Sequence, residues 1–158
     1  STNDGGTDTA ADKAVMKPGA NGYRLPTEAQ WEYAARGGGT PSTISSFANK
    51  WAGTNTDADL GTYAWYYPGA GGATHTVGDK TANAAGLYDM SGNVWEWCWD
   101  WYDSVGTETP PTGAVSGSIR VIRGGSWYNI ASACAVSIRS DAYPDYRYDD
   151  LGFRVACP

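Results

Sequence analysis

Residues 86–97 read Gly86-Leu-Tyr-Asp-Met-Ser-Gly-Asn-Val-Trp-Glu-Trp97, a turn that runs directly into an aromatic strand. Asp89 and Glu96 flank the turn at Ser91-Gly92, so two carboxylates and nearby backbone carbonyls can converge on one hard cation. Mixed carboxylate and carbonyl oxygens suit calcium. The same spacing also serves a simpler arrangement, in which Asp89 caps a turn and Glu96 pairs with an arginine. From Val94 to Trp101 the chain alternates, with Val, Glu and Cys set against tryptophans, which is the period of a strand with one aromatic face.

Outward from this segment, the first clear element upstream is a helix. Thr27 follows Pro26 as an N-cap, with Gln30 three residues on as its capping-box partner. Trp31, Ala34 and Ala35 then share one face, and Gly37 to Gly39 end the helix. Residues 1–22 are small, polar and aperiodic, and read as a loop or tail. Residues 40–85 hold scattered Trp, Tyr and Gly without a sustained period, which predicts long loops with short strands. Downstream, 118–127 (SIRVIRGGSW) and 151–157 (LGFRVAC) are further strands, and 128–150 is mostly irregular. Loops this long are uncommon in a compact domain unless something organises them and they serve a function.

The 158 residues suffice for one domain with a real core. Charged residues are 18% and glycines number 21, a loop-rich globular composition too aromatic for disorder. Trp 8 and Tyr 11 far outnumber Phe 2, favouring half-buried positions and binding surfaces over a dry interior. The net charge of −6, without a basic run, argues against nucleic acid or an anionic membrane as partner. No apolar stretch approaches the length of a membrane span, and no signal peptide opens the chain. Cys98, Cys134 and Cys157 match no zinc spacing; one bridge is possible, and three reduced thiols serve as well.

Three segments together carry a resemblance. They are Gly22-Tyr-Arg-Leu-Pro-Thr-Glu-Ala-Gln-Trp-Glu-Tyr-Ala-Ala-Arg36, the 86–97 segment, and Arg123-Gly-Gly-Ser-Trp127 with Gly152-Phe-Arg154. In this order they resemble the formylglycine-generating-enzyme (sulfatase-modifying factor) family. The resemblance implies an α+β, loop-rich C-type lectin fold with short antiparallel strands and few helices. It covers Asn21 to the end, so 23–158 is expected to be the carboxy-terminal part of one such domain. A strand-and-helix segment usual in the family before GYRLPTEAQWEYAAR is not found in this sequence. The family also implies a structural calcium ion, held by the side chains of Asp89 and Glu96 and the carbonyls of Gly92 and Val94.

Arg24, Arg36, Arg123, Arg139 and Arg154 lie in or beside these motifs. Fork-shaped donors pinning loop carbonyls and carboxylates are expected there, ahead of ligands for an anion. His75, the sole histidine, has no second histidine to share a metal and is expected at the surface.

The enzymes of the family oxidise a cysteine in a target peptide with copper held by two cysteines. Soft Cu(I) requires such a thiolate pair. Here the matching positions are Asn129 and Cys134, so no copper and no such catalysis are expected. Cys134 is expected to be a buried small hydrophobe.

The corresponding segment reads WYNIASACAVSIRSDAYPDYRYDDLGFR and resembles the variable region of diversity-generating-retroelement proteins. In those systems adenines of template Asn codons are randomised. Candidate variable positions are Tyr128, Asn129, Ile130, Ser132, Ala133, Ile138, Ser140, Asp141, Ala142, Tyr143, Asp145, Tyr146, Tyr148, Asp149 and Asp150. Every residue type among them is reachable from an Asn codon by adenine replacement, and none is Lys, Glu, Gln, Met or Trp. Trp127, Cys134, Arg139, Pro144 and Arg147 interrupt them as fixed residues. Tyr offers contact area at little entropy cost, and Ser, Asn and Asp adaptable polar contacts, as in antibody paratopes. An ordinary irregular loop would share the Tyr and Asp richness. The resemblance implies a non-catalytic receptor for a protein or glycan ligand at a bacterial cell surface or outside the cell. The alternatives are a formylglycine-generating oxidase and a structural family member without ligand.

Overall fold

The computed structural model describes residues 21–40, 42–43, 45–103, 114 and 116–157. The expected tail at 1–22 lies outside this range apart from its last two residues.

Helix α1, Glu28–Ala35, forms where the capping signals place it. Thr27 is extended, its hydroxyl accepts from Gln30 N at 3.2 Å, and Gln30 Oε1 accepts from Thr27 N at 3.1 Å. Both bonds satisfy backbone donors that the first helical turn leaves open. At the other end Gly37 N donates to Ala34 O and Gly38 N to Tyr33 O. Gly37 and Gly38 have φ of 101° and 73°, the left-handed stop that L side chains resist. Trp31 and Ala35 are buried.

Strands β1 (Trp95–Trp101), β2 (Arg120–Arg123), β3 (Arg139–Ala142) and β4 (Leu151–Gly152) form one sheet in the order β3-β2-β1-β4. The β1–β2 and β2–β3 pairs are antiparallel, with Glu96 opposite Arg123 and Ile122 opposite Ser140. The β1–β4 pair is parallel, so the sheet is mixed where antiparallel strands alone were expected. Only the first two residues of 151–157 pair in it; Ala156 instead bridges Arg24. The strand expected over 118–127 shortens to Arg120–Arg123, because Gly124 and Gly125 turn out of the sheet with φ of 97° and 72°.

Burial alternates along β1. Glu96, Cys98 and Asp100 face inward, and the tryptophans are half-buried on the other face. The inward carboxylates are tolerated because α1 supplies donors, Trp31 Nε1 to Glu96 Oε2 and Glu28 N to Asp100 Oδ2, each at 2.6 Å. A buried polar group costs little once hydrogen-bonded.

Residues 45–85 contain 3-10 turns at Ser45–Ala48 and Asp57–Asp59, a one-turn helix α2 at Leu60–Tyr63, and single bridges in place of the expected short strands. Two apolar clusters organise them. One joins Trp31, Ala35, Ala52, Met90, Cys98, Val121 and Val136 between α1 and the sheet. The other joins Trp51, Leu60, Ala64, Cys134 and Ala135, and Trp51 Nε1 donates to Ala131 O at 2.7 Å. The long loops are thereby fastened to residues 131–135, part of the candidate variable segment. No helix among the described residues is long and apolar enough to cross a membrane.

Candidate binding face

Buried and half-buried arginines hold the backbone beneath residues 128–150. Arg123 is fully buried and donates to Ile138 O, Glu32 Oε2 and Val136 O. Arg139 clasps Glu28 with two bonds of 2.5 and 2.7 Å and donates to Asp103 O. The Glu28 hydrogen bond is the largest cause pushing the Arg139 guanidinium above its ordinary pKa, so its charge is fixed. Arg36 pairs with Glu32, Arg154 with Glu96, and Arg24 donates to Gln30. All five arginines therefore pin carboxylates, amides or carbonyls, as fork-shaped donors do.

The two ends of the segment meet at Ser126. Its hydroxyl lies 2.8 Å from Asn129 Oδ1 and 2.9 Å from Asp150 Oδ2, so its single proton serves one of them. Ser126 N donates to Asn129 Oδ1, and Asp150 O accepts from Trp95 N at 2.8 Å. The intervening residues leave from this junction, which Asp150 ties to β1, and are reinforced by the 3-10 turn Ala131–Cys134 and by β3.

Tyr128, Ile130, Ser132, Ile138, Asp141, Tyr143, Asp145, Tyr146, Tyr148 and Asp149 are exposed. Asn129, Ala133, Ser140 and Asp150 are half-buried, and Ala142 is buried. Of the residues read as fixed, Cys134 is buried, Trp127, Arg139 and Pro144 are half-buried, and Arg147 is exposed. Tyr143 and Tyr146 are tilted with centroids 5.3 Å apart, and Tyr146 meets Tyr148 edge-on at 5.4 Å. Beside this ladder lies a cavity of about 300 Å³ lined by Trp95, Ile122, Asp141, Ala142, Tyr146, Tyr148, Asp150 and Leu151.

Two contributors to this face were not read from the sequence. Tyr67, 58% exposed, bridges Ile130 and donates its N–H to Asn129 O at 2.9 Å. It comes from the aperiodic stretch, where no sequence signal marks it. Trp95 lines the cavity from β1, which the alternation did indicate as an aromatic face. His75 is not a plain surface residue: its ring stacks on Trp65 at 3.6 Å, and Nε2 lies 2.7 Å from Ala70 O.

All three cysteines are free, with Cys98 and Cys134 buried and Cys157 exposed. Burial pushes the Cys134 thiol up to about 12, against a weaker lowering by its bond to Ser126 O. The Cys98 thiol is also raised by burial.

In the 86–97 segment Asp89 and Asn93 have φ of 56° and 65°, and Gly92 has 78°. Asp89 Oδ2 accepts from Gly78 N at 2.9 Å, while its buried Oδ1 has no hydrogen-bond partner among the described residues. Glu96 is differently placed: Arg154 takes both of its oxygens at 2.6 and 2.7 Å, and Trp31 adds a third bond. Arg154 also donates to Tyr88 O. The donor set expected for calcium is thus divided. Asp89 offers a free oxygen, and Glu96 offers none unless Arg154 moves.

Comparison with known proteins places this geometry. Treponema denticola variable protein 1 superposes with a TM-score of 0.82 at 49% identity, over 92% of this chain and 51% of that one. Formylglycine-generating enzyme of Streptomyces coelicolor is 38% identical over 85% of this chain and 46% of its own length. Inactive C-alpha-formylglycine-generating enzyme 2 of Mus musculus is 34% identical over 85% of this chain and 43% of its own. The chain spans about half the length of the curated relatives it matches. Few helices, a curled mixed sheet and these neighbours make the fold the loop-rich α+β, C-type lectin-like fold of formylglycine-generating enzymes. Residues 6–157 match the sulfatase-modifying factor enzyme 1-like domain, and the chain belongs to that family.

Proposed function

We propose that this chain is a non-catalytic variable protein that binds a protein or glycan ligand through residues 128–150. The observation that carries the proposal is the sorting of side chains there. The Tyr rings and most of the Asp carboxylates face solvent, while of the residues read as fixed Cys134 is buried, Trp127, Arg139 and Pro144 are half-buried, and Arg147 alone is exposed. Such a surface can change its residues without losing its support. The 49% identity to a variable protein of Treponema denticola supports the same reading. Diversification by a retroelement, and display at or beyond a bacterial cell surface, belong to this proposal.

The proposal is tested by presenting the chain to glycan and protein arrays beside a variant with Tyr143, Tyr146 and Tyr148 changed to Ser. Partners of the parent should be lost in the variant while its unfolding midpoint stays within a few degrees. Retained partners, or a variant that no longer folds, would refute it.

A second reading, a peptide-cysteine oxidase, is favoured by the relatives named formylglycine-generating enzymes. Against it, the Asn129 amide oxygen is committed to Ser126 and an amide is a poor partner for Cu(I), so in Cys134 this segment offers one thiol where the copper chemistry needs two. Stoichiometric Cu(I) binding with oxygen consumption on a cysteine peptide would favour the oxidase.

Calcium is a separate proposal, with Asp89 and Glu96 as side-chain ligands and the carbonyls of Gly92 and Val94 completing the set. The unpartnered Asp89 Oδ1 supports it, since a buried carboxylate oxygen calls for a donor or a cation. Such an ion would act structurally, joining the turn to β1.

A further inference from the structure

We propose that the cavity beside the tyrosine ladder receives a basic side chain, lysine or arginine, from a protein ligand. This rests on the binding-face reading above and specifies the chemistry of one recess in that face. The cavity, about 300 Å³, has room for one long side chain. Its floor is apolar, with Ile122 and Ala142 buried from the sheet, and suits a methylene stem. Its walls include Trp95, Tyr146 and Tyr148, and electron-rich ring faces attract a cation held over them. Asp150 and Asp141 are among its lining, and no Lys or Arg among the described residues lines it.

The charge around the cavity has the same sign. Residues 140–150 carry Asp141, Asp145, Asp149 and Asp150 against the single exposed Arg147. Arg139, next to this stretch, is engaged by Glu28 at 2.5 Å. The whole chain carries −6. An acidic or phosphorylated ligand would meet repulsion from every one of these carboxylates. A neutral apolar side chain would leave Asp150 desolvated without a counter-charge, a cost that a cation removes. Ser126 is the hydrogen-bond partner given to the Asp150 carboxylate, through Oδ2.

The test compares three unbranched probes on the intact chain: Nα-acetyl-lysine methylamide, Nα-acetylarginine methylamide and Nα-acetylnorleucine methylamide, the last matching the lysine stem without its charge. The readout is the indole N–H of Trp95 in a ¹H–¹⁵N spectrum, assigned with Trp95→Phe. A saturable shift with lysine or arginine, at least fivefold tighter than with norleucine and weakened by 0.5 M salt, is the expected result. Tyr148→Ser, an exposed position, and Asp150→Asn should each weaken it several-fold. Equal response to norleucine would overturn the cationic ligand and leave the face a binding surface. Silence with all three probes would also overturn it, and the array experiment would then decide the binding face by itself.

Discussion

Arg123 has no solvent exposure, yet it is among the most connected residues in the molecule. It joins α1, through Glu32, to the carbonyls of Val136 and Ile138. Its Nε lies 3.4 Å from Glu28 Oε1, near enough for attraction but outside good hydrogen-bond geometry. Replacing it with Met keeps the stem and strands these acceptors. A loss of about 3 kcal/mol is expected, the low end for a broken buried pair because Glu32 is partly exposed. The shift in urea midpoint measures it, and an unchanged midpoint would show the arginine to be dispensable. The role of such arginines was legible, since a guanidinium inside a loop motif has few other uses. The stacking of His75 on Trp65 was not, because it depends on how an aperiodic loop returns on itself.

The thiols make a second prediction at the same scale. Cys157 is exposed and should react with a thiol reagent at pH 8, whereas native Cys98 and Cys134 should not. Burial raises the folded pKa of Cys134 from the ordinary 9.0 to about 12. The unfolded chain therefore releases this proton first as pH rises, and stability falls between about pH 9 and 12. Urea midpoints across that window should decline, less so in Cys134→Ala once its own cavity cost is subtracted. Three equally reactive thiols at pH 8 would contradict the burial.

Among the elements, α1 was the most legible, because its start and stop are written in local chemistry. Thr27→Ala removes a cap at the helix whose Glu28 and Glu32 hold Arg139 and Arg123, and should cost about 1 kcal/mol. Thr27→Ser should restore most of it; equal midpoints for all three proteins would remove the cap from the account. Strand β1 was legible as a strand, but its inward face was not. A hydrophobic pattern would turn the tryptophans inside, and the carboxylates of Glu96 and Asp100 go there only because α1 and Arg154 bring donors. The parallel pairing of β4 was equally hidden, since two residues specify no partner. Gly92 marks where the turn packs closest: a Cβ there would stand 2.1 Å from Trp65 O, at a φ of 78°. The motif glycine was visible in the sequence; the residue it makes room for was not.

Across the whole molecule, the scaffold is distinct from the proposed display surface. Two apolar clusters and the arginines fix the backbone, and residues 128–150 ride on it with the candidate variable types turned mostly outward. Ala142, and in part Asn129 and Asp150, depart from this, being packed or bonded to Ser126. Codon chemistry selects candidates without regard to burial, so it reads these positions together with the exposed ones. If calcium joins Asp89 to β1, chelation should lower the melting temperature, because an ion bound only by the folded state stabilises it by mass action. An unchanged melting temperature, with no metal found on analysis, would leave Glu96 to Arg154 and Trp31.

Whether an exposed surface varies over a constant scaffold is decided by sequencing the gene across many cells of the source population. Substitutions should be confined to the fifteen candidate positions, densest at the exposed Tyr and Asp sites and sparse at Ala142, with Trp127, Cys134, Arg139, Pro144 and Arg147 constant. An invariant segment, or changes scattered equally over those five residues, would contradict a variable surface.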